Sequence, residues 1–397
     1  MERIKQLASH LTSPTSGVAA LEVKRPDDVV ITMAVRSPLG RQKKGAFKDT
    51  QPDELLTAFL KAAIAKSTVD PAQVQDLVFG NTLHQGAAYV VRASMLAAGF
   101  PHTTPFQVVN RFCSSGLMAV NSVATRIRAG EIEIGMAGGF ENMSTTPDNG
   151  APQITEEVKS CKESADSLQP MGWTSENVAG DFKISRQEMD EFAYLSHTRA
   201  SKADTTGLFE AEILPVEINK KDPTTGAVSK ITVSKDDVIR HGTELPTLLK
   251  IRSAFPQWAP SQTTGGNASQ NSDGVALVLL MRRDKAEQLG LKILAKYIAT
   301  SVVGVPPRIM GVGPLYAIPA VLRHVGLTKE DIDLFEINEA FASMYVYCVK
   351  TLGLDINKVN IIATGLAELE RRKGKVLVTS MCMGTGMGAA AVFVRES

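Results

Sequence analysis

At 397 residues the chain exceeds the size at which one hydrophobic core keeps growing, so two domains are expected. Its residues are 44% hydrophobic and 21% charged, an ordinary globular balance. The net charge of +1 leaves no surplus of either sign to hold phosphates, which argues against a nucleic-acid or membrane-surface partner.

No apolar run approaches the length that spans a bilayer, and no secretory signal is present, so neither membrane insertion nor export is expected. The first two dozen residues are polar and mixed and read as an extension outside the fold. A strand candidate, DDVVITMAV, then leads into the turn Ser37-Pro38-Leu39-Gly40. From there strand-like runs alternate with small-residue helices, as in DELLTAFLKAAIAKS followed by VQDLVFGN. Such alternation predicts an α/β fold with a buried sheet. Between about 145 and 252 the pattern degrades into polar stretches around one clear helix, ISRQEMDEFAYLSHTRAS, and reads as an inserted loop domain. Regular patterns resume at GVALVLLMRR. A faint internal echo runs through the chain: FCSSGLMAVNSVATRIRAGEIEIGMAGG and IIATGLAELERRKGKVLVTSMCMG both place a helix before an apolar strand, as two related halves would.

Four cysteines, Cys113, Cys161, Cys348 and Cys382, do not suggest a disulfide framework in so long a chain; functional or buried thiols in a reducing compartment fit better. Cys113 stands in VVNRFCSSGLMAV, between a strand-like run and a helix. A helix N-terminus favours thiolate, and the N–H groups of such a turn can receive an oxyanion; a buried structural cysteine would fit the local sequence as well. Cys382 lies in VTSMCMGTGMGAAAVFV, where a glycine two residues on leaves its N–H free to face a ligand, although a tight hairpin with an incidental thiol reads equally. Asn338 opens NEAFA and reads locally as a helix N-cap, while the loop GGNASQNSDG has room for a phosphate or a pantetheine chain.

Taken together, RFCSSGLMAV, GGNASQNSDGVA, NEAFA and SMCMGTGMGAAAVF, with AVRSPLG and MGWTSENVA, closely resemble the signatures of the thiolase family from Asp28 to Phe393. That resemblance implies two βαβ-rich halves stacked in five layers (αβαβα): a first domain over 28–290 that includes the loop domain, and a second over 291–397. It implies CoA-dependent cleavage of 3-ketoacyl-CoA to acetyl-CoA and a shortened acyl-CoA, without metal or permanently bound cofactor, by a homodimer that uses CoA as co-substrate. Cys113 matches the nucleophile and Cys382 the acid/base. The N–H groups of Cys113 and Gly384 match one oxyanion hole, and Asn338 matches the holder of a water in the other. Arg240 and Ser269 match CoA contacts; Met171, Ala340 and Phe341 match the pantetheine channel. A condensing enzyme of the ketoacyl-synthase kind fits less well, because Cys-x-Gly near the C-terminus is a thiolase feature.

One family feature is missing. Thiolases carry N-x-x-G-G-A-I-A-L-G-H-P-x-G-x-x-G after NEAFA, and its histidine activates the nucleophile. Here Asn360 runs directly into IIATGL, and the six histidines (His10, His84, His102, His197, His241, His324) all precede Asn338. The alternative to a working enzyme is therefore an impaired isoform or incomplete gene model, at most a CoA-ester-binding or dimerising subunit. Residues 3 to 11, RIKQLASHL, match the type 2 peroxisomal targeting pattern through Arg3, Ile4, His10 and Leu11. They make residues 1–27 an extension carrying an address, read by a peroxisomal import receptor, and suggest fatty-acid β-oxidation in the peroxisome.

Overall fold

The computed structural model describes residues 16–146, 150–222, 224–258, 260–360 and 365–396. The targeting pattern at 3–11 and the residues that follow the Asn360–Ile361 junction lie outside them. In chain order the strands are β1 (Val29–Arg36), β2 (Gly40–Arg41), β3 (Asp76–Gly80), β4 (Phe106–Val109), β5 (Ile134–Asn142), β6 (Val216–Lys221), β7 (Val228–Val233), β8 (Ser272–Arg282), β9 (Ala295–Gly304), β10 (Leu334–Ile337), β11 (Val359–Asn360), β12 (Val376–Met383) and β13 (Met387–Arg395). The helices that matter here are α1 (Pro52–Ser67), α2 (Ala87–Ala98), α3 (Ser115–Arg128), α4 (Met171–Asp181), α5 (Arg186–Thr205), α6 (Gly313–Val325), α7 (Ala342–Leu352) and α8 (Gly365–Arg371).

The internal echo is a true repeat of topology. In the first half β4, β3 and β5 run parallel, β8 is antiparallel to β5, and β1 antiparallel to β8. In the second half β11, β10 and β12 run parallel, β13 is antiparallel to β12, and β9 antiparallel to β13. Helices fall at matching places, with α3 between β4 and β5 and α8 between β11 and β12. Among the described residues the two half-sheets join through β1 and β9, where Val30 pairs with Lys296 and Ile31 with Ala295.

Side-chain alternation along the strands builds the layers. Leu77 and Phe79 face an outer core with Leu55, Phe59, Val91 and Met95 of α1 and α2. Val78 faces the other way, into a shared core with Ala119, Val123 and Ile127 of α3, Leu334 and Leu377 of the second half, and Leu369 of α8. Phe335, Val378 and Val392 face a second outer core with Ala317, Val321 and Tyr345 of α6 and α7. Helix, sheet, helix, sheet, helix is the five-layer α/β order that the sequence implied.

Residues 143–271 between β5 and β8 hold α4, α5 and the β6–β7 hairpin. Helix α5 opens on a capping box, Ser185 with Glu188, which satisfies two N-terminal donors. The N-terminal stretch is corrected in part. Residues Gly17–Glu22 form a short helix whose Val18 and Leu21 rest against the second outer core. The Val23 carbonyl accepts from Lys296 Nζ at 2.7 Å, so the packed structure starts before Asp28. Two apolar side chains in a polar stretch were too weak a signal to show this.

The middle layer is asymmetric. Residues 110–133, 24 in number, link β4 to β5 and include the 14-residue α3; residues 361–375, 15 in number, link β11 to β12, and α8 is described over 7 residues. A cavity of about 690 Å³ lies beside the short helix, walled by Gly116 and Val120 of α3, Leu366 of α8, and strands of both halves.

Close backbone approach sets α3 against β3. A Cβ on Gly80 would stand 2.5 Å from the Gly116 nitrogen and inside contact with the Ser115 carbonyl, whereas one on Gly116 meets nothing within 4 Å. Backbone cannot yield as a flexible side chain can. Gly80→Ala should therefore destabilise the protein by about 2 kcal/mol or more, while Gly116→Ala should stay within about 1 kcal/mol of the parent. Thermal unfolding of both variants checks this, and equal melting temperatures would contradict it.

Candidate active site

Strand β4 ends at Val109, and the chain turns through Asn110, Arg111 and Phe112 before α3. Phe112 has φ 49°, a left-handed conformation that costs a non-glycine residue on the order of 1 kcal/mol or more. Hydrogen bonds hold it there. Asn110 Oδ1 accepts from the Phe112 N–H at 2.9 Å, and the Phe112 carbonyl accepts from Thr82 Oγ1 at 3.0 Å and Ser115 Oγ at 2.6 Å. The turn leaves Cys113 exposed, two residues ahead of the helix.

The second half meets it with the β12–β13 hairpin. Met383 pairs with Met387 across the three-residue loop Gly384-Thr385-Gly386. Gly386 has φ 94°, and a Cβ there would collide with the backbone of Val305 and Pro307. Gly384 lies against the Phe112 ring, which a Cβ would approach to 3.3 Å. Its N–H and that of Cys113 itself both bond toward the Cys113 sulfur. The two donors assigned to an oxyanion hole thus converge on one point.

Burial nevertheless wins at this thiol: desolvation raises the Cys113 pKa above the ordinary value, the two N–H groups lower it by less, and the Glu141 carboxylate raises it further. Burial thus runs against the thiolate that the helix start favours: although the residue is exposed, its sulfur lies in a cleft. Glu141, at the end of β5, accepts from the N–H groups of Thr82 and Leu83 at 3.0 and 3.2 Å; nothing in GGFEN marked it as a neighbour of Cys113.

Cys382 is buried, at 2% exposure, opposite Gly388 in the hairpin. Desolvation raises its pKa strongly, Cys113 and Cys348 add to the rise, and the Asn338 side chain opposes it. It is therefore a neutral thiol at neutral pH, close to both Cys113 and Asn338. Asn338 is not an N-cap: α7 starts at Ala342 with Phe341 as its cap. Residues 338–341 lead into the helix instead, with Phe341 in an extended conformation. The Asn338 N–H donates to the Ser380 carbonyl at 2.9 Å, that of Ser269 to Ala340 at 3.0 Å, and that of Ala342 to Asn267 at 2.9 Å. Tertiary pairing with the GGNASQ loop overrides the local helix signal.

The other assigned residues fall into two groups. Arg240 and Ser269 line a cavity of about 560 Å³ together with Cys113 and Asn338, and Arg240 Nη1 donates to the Gly265 carbonyl at 3.1 Å. Met171, Ala340 and Phe341 surround Cys382 in an apolar cluster with Val178, Met310 and Met344; neither they, Cys382 nor Gly384 are on the wall of that cavity. Sequence reasoning missed two more wall residues. His197 on α5 contacts the Gly266 carbonyl at 3.0 Å through Nε2, and burial, then Arg240, lowers its pKa. Glu339 accepts from Ser196 Oγ at 2.7 Å, and burial pushes its pKa to about 8. The helical spacing of α5 could have put His197 and Ser196 on adjacent positions, but not against this cavity.

The geometry can be set beside known proteins. Family descriptions match twice: "Thiolase, N-terminal domain" over residues 29–284 and "Thiolase, C-terminal domain" over residues 291–367. The chain belongs to the thiolase family. It is 47% identical over 423 aligned residues, covering 100% of both chains, to the peroxisomal 3-ketoacyl-CoA thiolase of Yarrowia lipolytica. The dimeric peroxisomal thiolase of Saccharomyces cerevisiae superposes with TM-score 0.86 at 46% identity, over 94% of this chain and 99% of that one. Human mitochondrial 3-ketoacyl-CoA thiolase in complex with CoA superposes with TM-score 0.80 at 31% identity, over 93% and 98%.

The balance at Cys113 is open to measurement. Only thiolate is alkylated, so the rate against pH should show a midpoint above about 8.5, the free-thiol value. Glu141→Gln removes a charge that opposes thiolate, so its midpoint should fall. Iodoacetamide modification followed by peptide mass spectrometry reads both; a parent midpoint below that of free cysteine would overturn the assignment.

Proposed function

We propose that this chain catalyses the thiolase reaction of peroxisomal fatty-acid β-oxidation, cleaving 3-ketoacyl-CoA with CoA into acetyl-CoA and a shortened acyl-CoA. The observation that carries it is the meeting of Cys113, Gly384, Cys382 and Asn338, drawn from both halves, at one point. The Cys113 sulfur attacks the 3-keto carbon, and the N–H groups of Cys113 and Gly384 receive the oxyanion. The bond between C2 and C3 breaks with its electron pair leaving on C2, and the neutral Cys382 thiol supplies the proton that completes acetyl-CoA. The Cys382 thiolate then takes the proton of an incoming CoA thiol, whose sulfur displaces Cys113 from the acyl group. Asn338 serves the thioester carbonyl of the acetyl unit. Arg240 and Ser269 hold CoA, and Met171, Ala340 and Phe341 border its pantetheine arm.

CoA is the co-substrate, and no permanent cofactor takes part. The working form is a homodimer: β4 is the free edge of its half, and Tyr89 on the neighbouring α2 is 86% exposed, a surface that suits pairing with a second copy. Residues 28–290 and 291–397 serve as the two domains, with 145–252 covering the CoA side. RIKQLASHL brings the chain to the peroxisome through the import receptor for that signal.

One component is lacking. Nothing assigned above takes the Cys113 proton at the moment of attack, because the histidine-bearing segment has no counterpart after Asn360. The alignment with the Yarrowia relative runs over 423 positions, 26 more than this chain has residues, and the short second-half crossover agrees with a loss there. General-base loss costs about 10²–10⁴-fold in rate, so this chain should turn over weakly. Inserting the family segment after Asn360 should raise thiolysis of a 3-ketoacyl-CoA by at least about 100-fold, and Cys113→Ser in the restored chain should abolish it. Full activity of the uninserted chain, purified free of any complete homologue, would contradict this part of the reading.

A further inference from the structure

Glu339 lies on the wall of the cavity of about 560 Å³ with Cys113 and Asn338, and the reaction scheme above gives it no task. Asn338 precedes it, and the carbonyl of Ala340 after it accepts from the Ser269 N–H at 3.0 Å. Its carboxyl reaches α5, where Oε2 accepts from Ser196 Oγ at 2.7 Å, while Oε1 is buried without a partner. The hydroxyl of Tyr345 on α7 is likewise buried and unpaired, and the Glu339 charge acts on it. Arg199 is the cation whose charge reaches the carboxyl, but its guanidinium is spent on the carbonyls of Ile356 at 3.4 Å and Val359 at 3.2 Å. A carboxylate buried without a bonded cation is costly, and burial pushes the Glu339 pKa to about 8. The group is therefore protonated at neutral pH. In that form it can accept from Ser196 and also donate, whereas the carboxylate only accepts and draws in water.

We propose that Glu339 is a positioning residue: as a neutral acid it fastens the Asn338–Ala340 segment to α5, and its ionisation releases that segment and weakens the hold on a CoA thioester. This rests on the reading of the cavity as the CoA site. Ionisation acts there twice. It loosens the segment that pairs with Ser269, and it sets a negative charge on the wall facing an anionic ligand. The neighbouring groups keep their form between pH 7 and pH 9. Burial, then Arg240, lowers His197, while burial raises Tyr345, Cys382 and Cys113. Arg199 and Arg240 stay cationic, and Asp236 is paired with Arg36. Glu336 on β10 lines the same cavity and is common to every chain compared below.

The test measures acetyl-CoA binding by calorimetry from pH 7 to pH 9. It uses the full chain carrying Cys113→Ser, which removes acylation and the titration of that thiol, with and without Glu339→Gln. The binding-competent fraction is present below the Glu339 pKa and lost as pH rises through it. With Glu339 in place, affinity should fall about tenfold across this range; with Glu339→Gln, neutral throughout, it should change by no more than about twofold. Ser196→Ala removes a bond that lowers the Glu339 pKa, so it should move the fall to higher pH, and it gives the reading if Glu339→Gln does not fold. Infrared difference spectra between the Glu339 and Glu339→Gln chains should show a protonated carboxyl band at pH 7 that is lost by pH 9. The same pH dependence in both chains, or no such band at pH 7, overturns the role of Glu339 and leaves the thiolase reading in place. No binding of acetyl-CoA to any chain at any pH overturns both.

Discussion

Everything at this site depends on a backbone contact between the two halves: the Gly384 loop of the β12–β13 hairpin lying on the Phe112–Cys113 turn. A Cβ at 384 would approach the Phe112 ring to 3.3 Å, so a side chain there would require the ring to give by a few tenths of an ångström. The contact needs Phe112 in a left-handed conformation, held by Asn110, Thr82 and Ser115. It also needs α3 drawn against β3 at Gly80, and α6 drawn against β13, where Gly313 and Gly388 leave no room for a Cβ. Three close approaches, each at a glycine, and one left-handed turn bring two thiols from different halves to one point.

Much of this was legible in the sequence because it is carried by short contiguous strings. The strand before Cys113, the small-residue helix after it, and the glycine two residues beyond Cys382 state their local geometry directly, and the echo between the halves was visible as helix followed by strand. What could not be read depends on contacts between distant residues. The local pattern at Asn338 is an N-cap pattern, and bonds to Ser380 and to Asn267 and Ser269, some 70 positions earlier, hold 338–341 outside the helix. The Cys113 pKa depends on how much of the other half covers its sulfur. Glu141, His197 and Glu339 join the site through β5, α5 and the NEAFA strand end, from positions with no shared spacing.

A native interior leaves few buried polar groups unpaired. Among the described residues, Thr32 Oγ1, Arg41 Nε, Ser114 Oγ, Glu339 Oε1, Tyr345 Oη and Thr379 Oγ1 are buried without partners. Ser114 follows the nucleophile, Glu339 and Thr379 line the site cavity, and the Glu339 carboxyl raises the Tyr345 pKa.

The two middle-layer helices are unequally buried among the described residues, though the topology of the halves is the same. Helix α3 is enclosed by both half-sheets, with Ala119, Val123 and Ala124 fully buried, whereas α8 is described over two turns beside a cavity. Segments with few buried apolar contacts open at low free energy. Native-state hydrogen exchange resolved by peptide measures this directly. Amides of Gly365–Arg371 should exchange at least about a hundredfold faster than those of Met118–Arg128; equal protection of the two helices would show a complete middle layer and contradict the account.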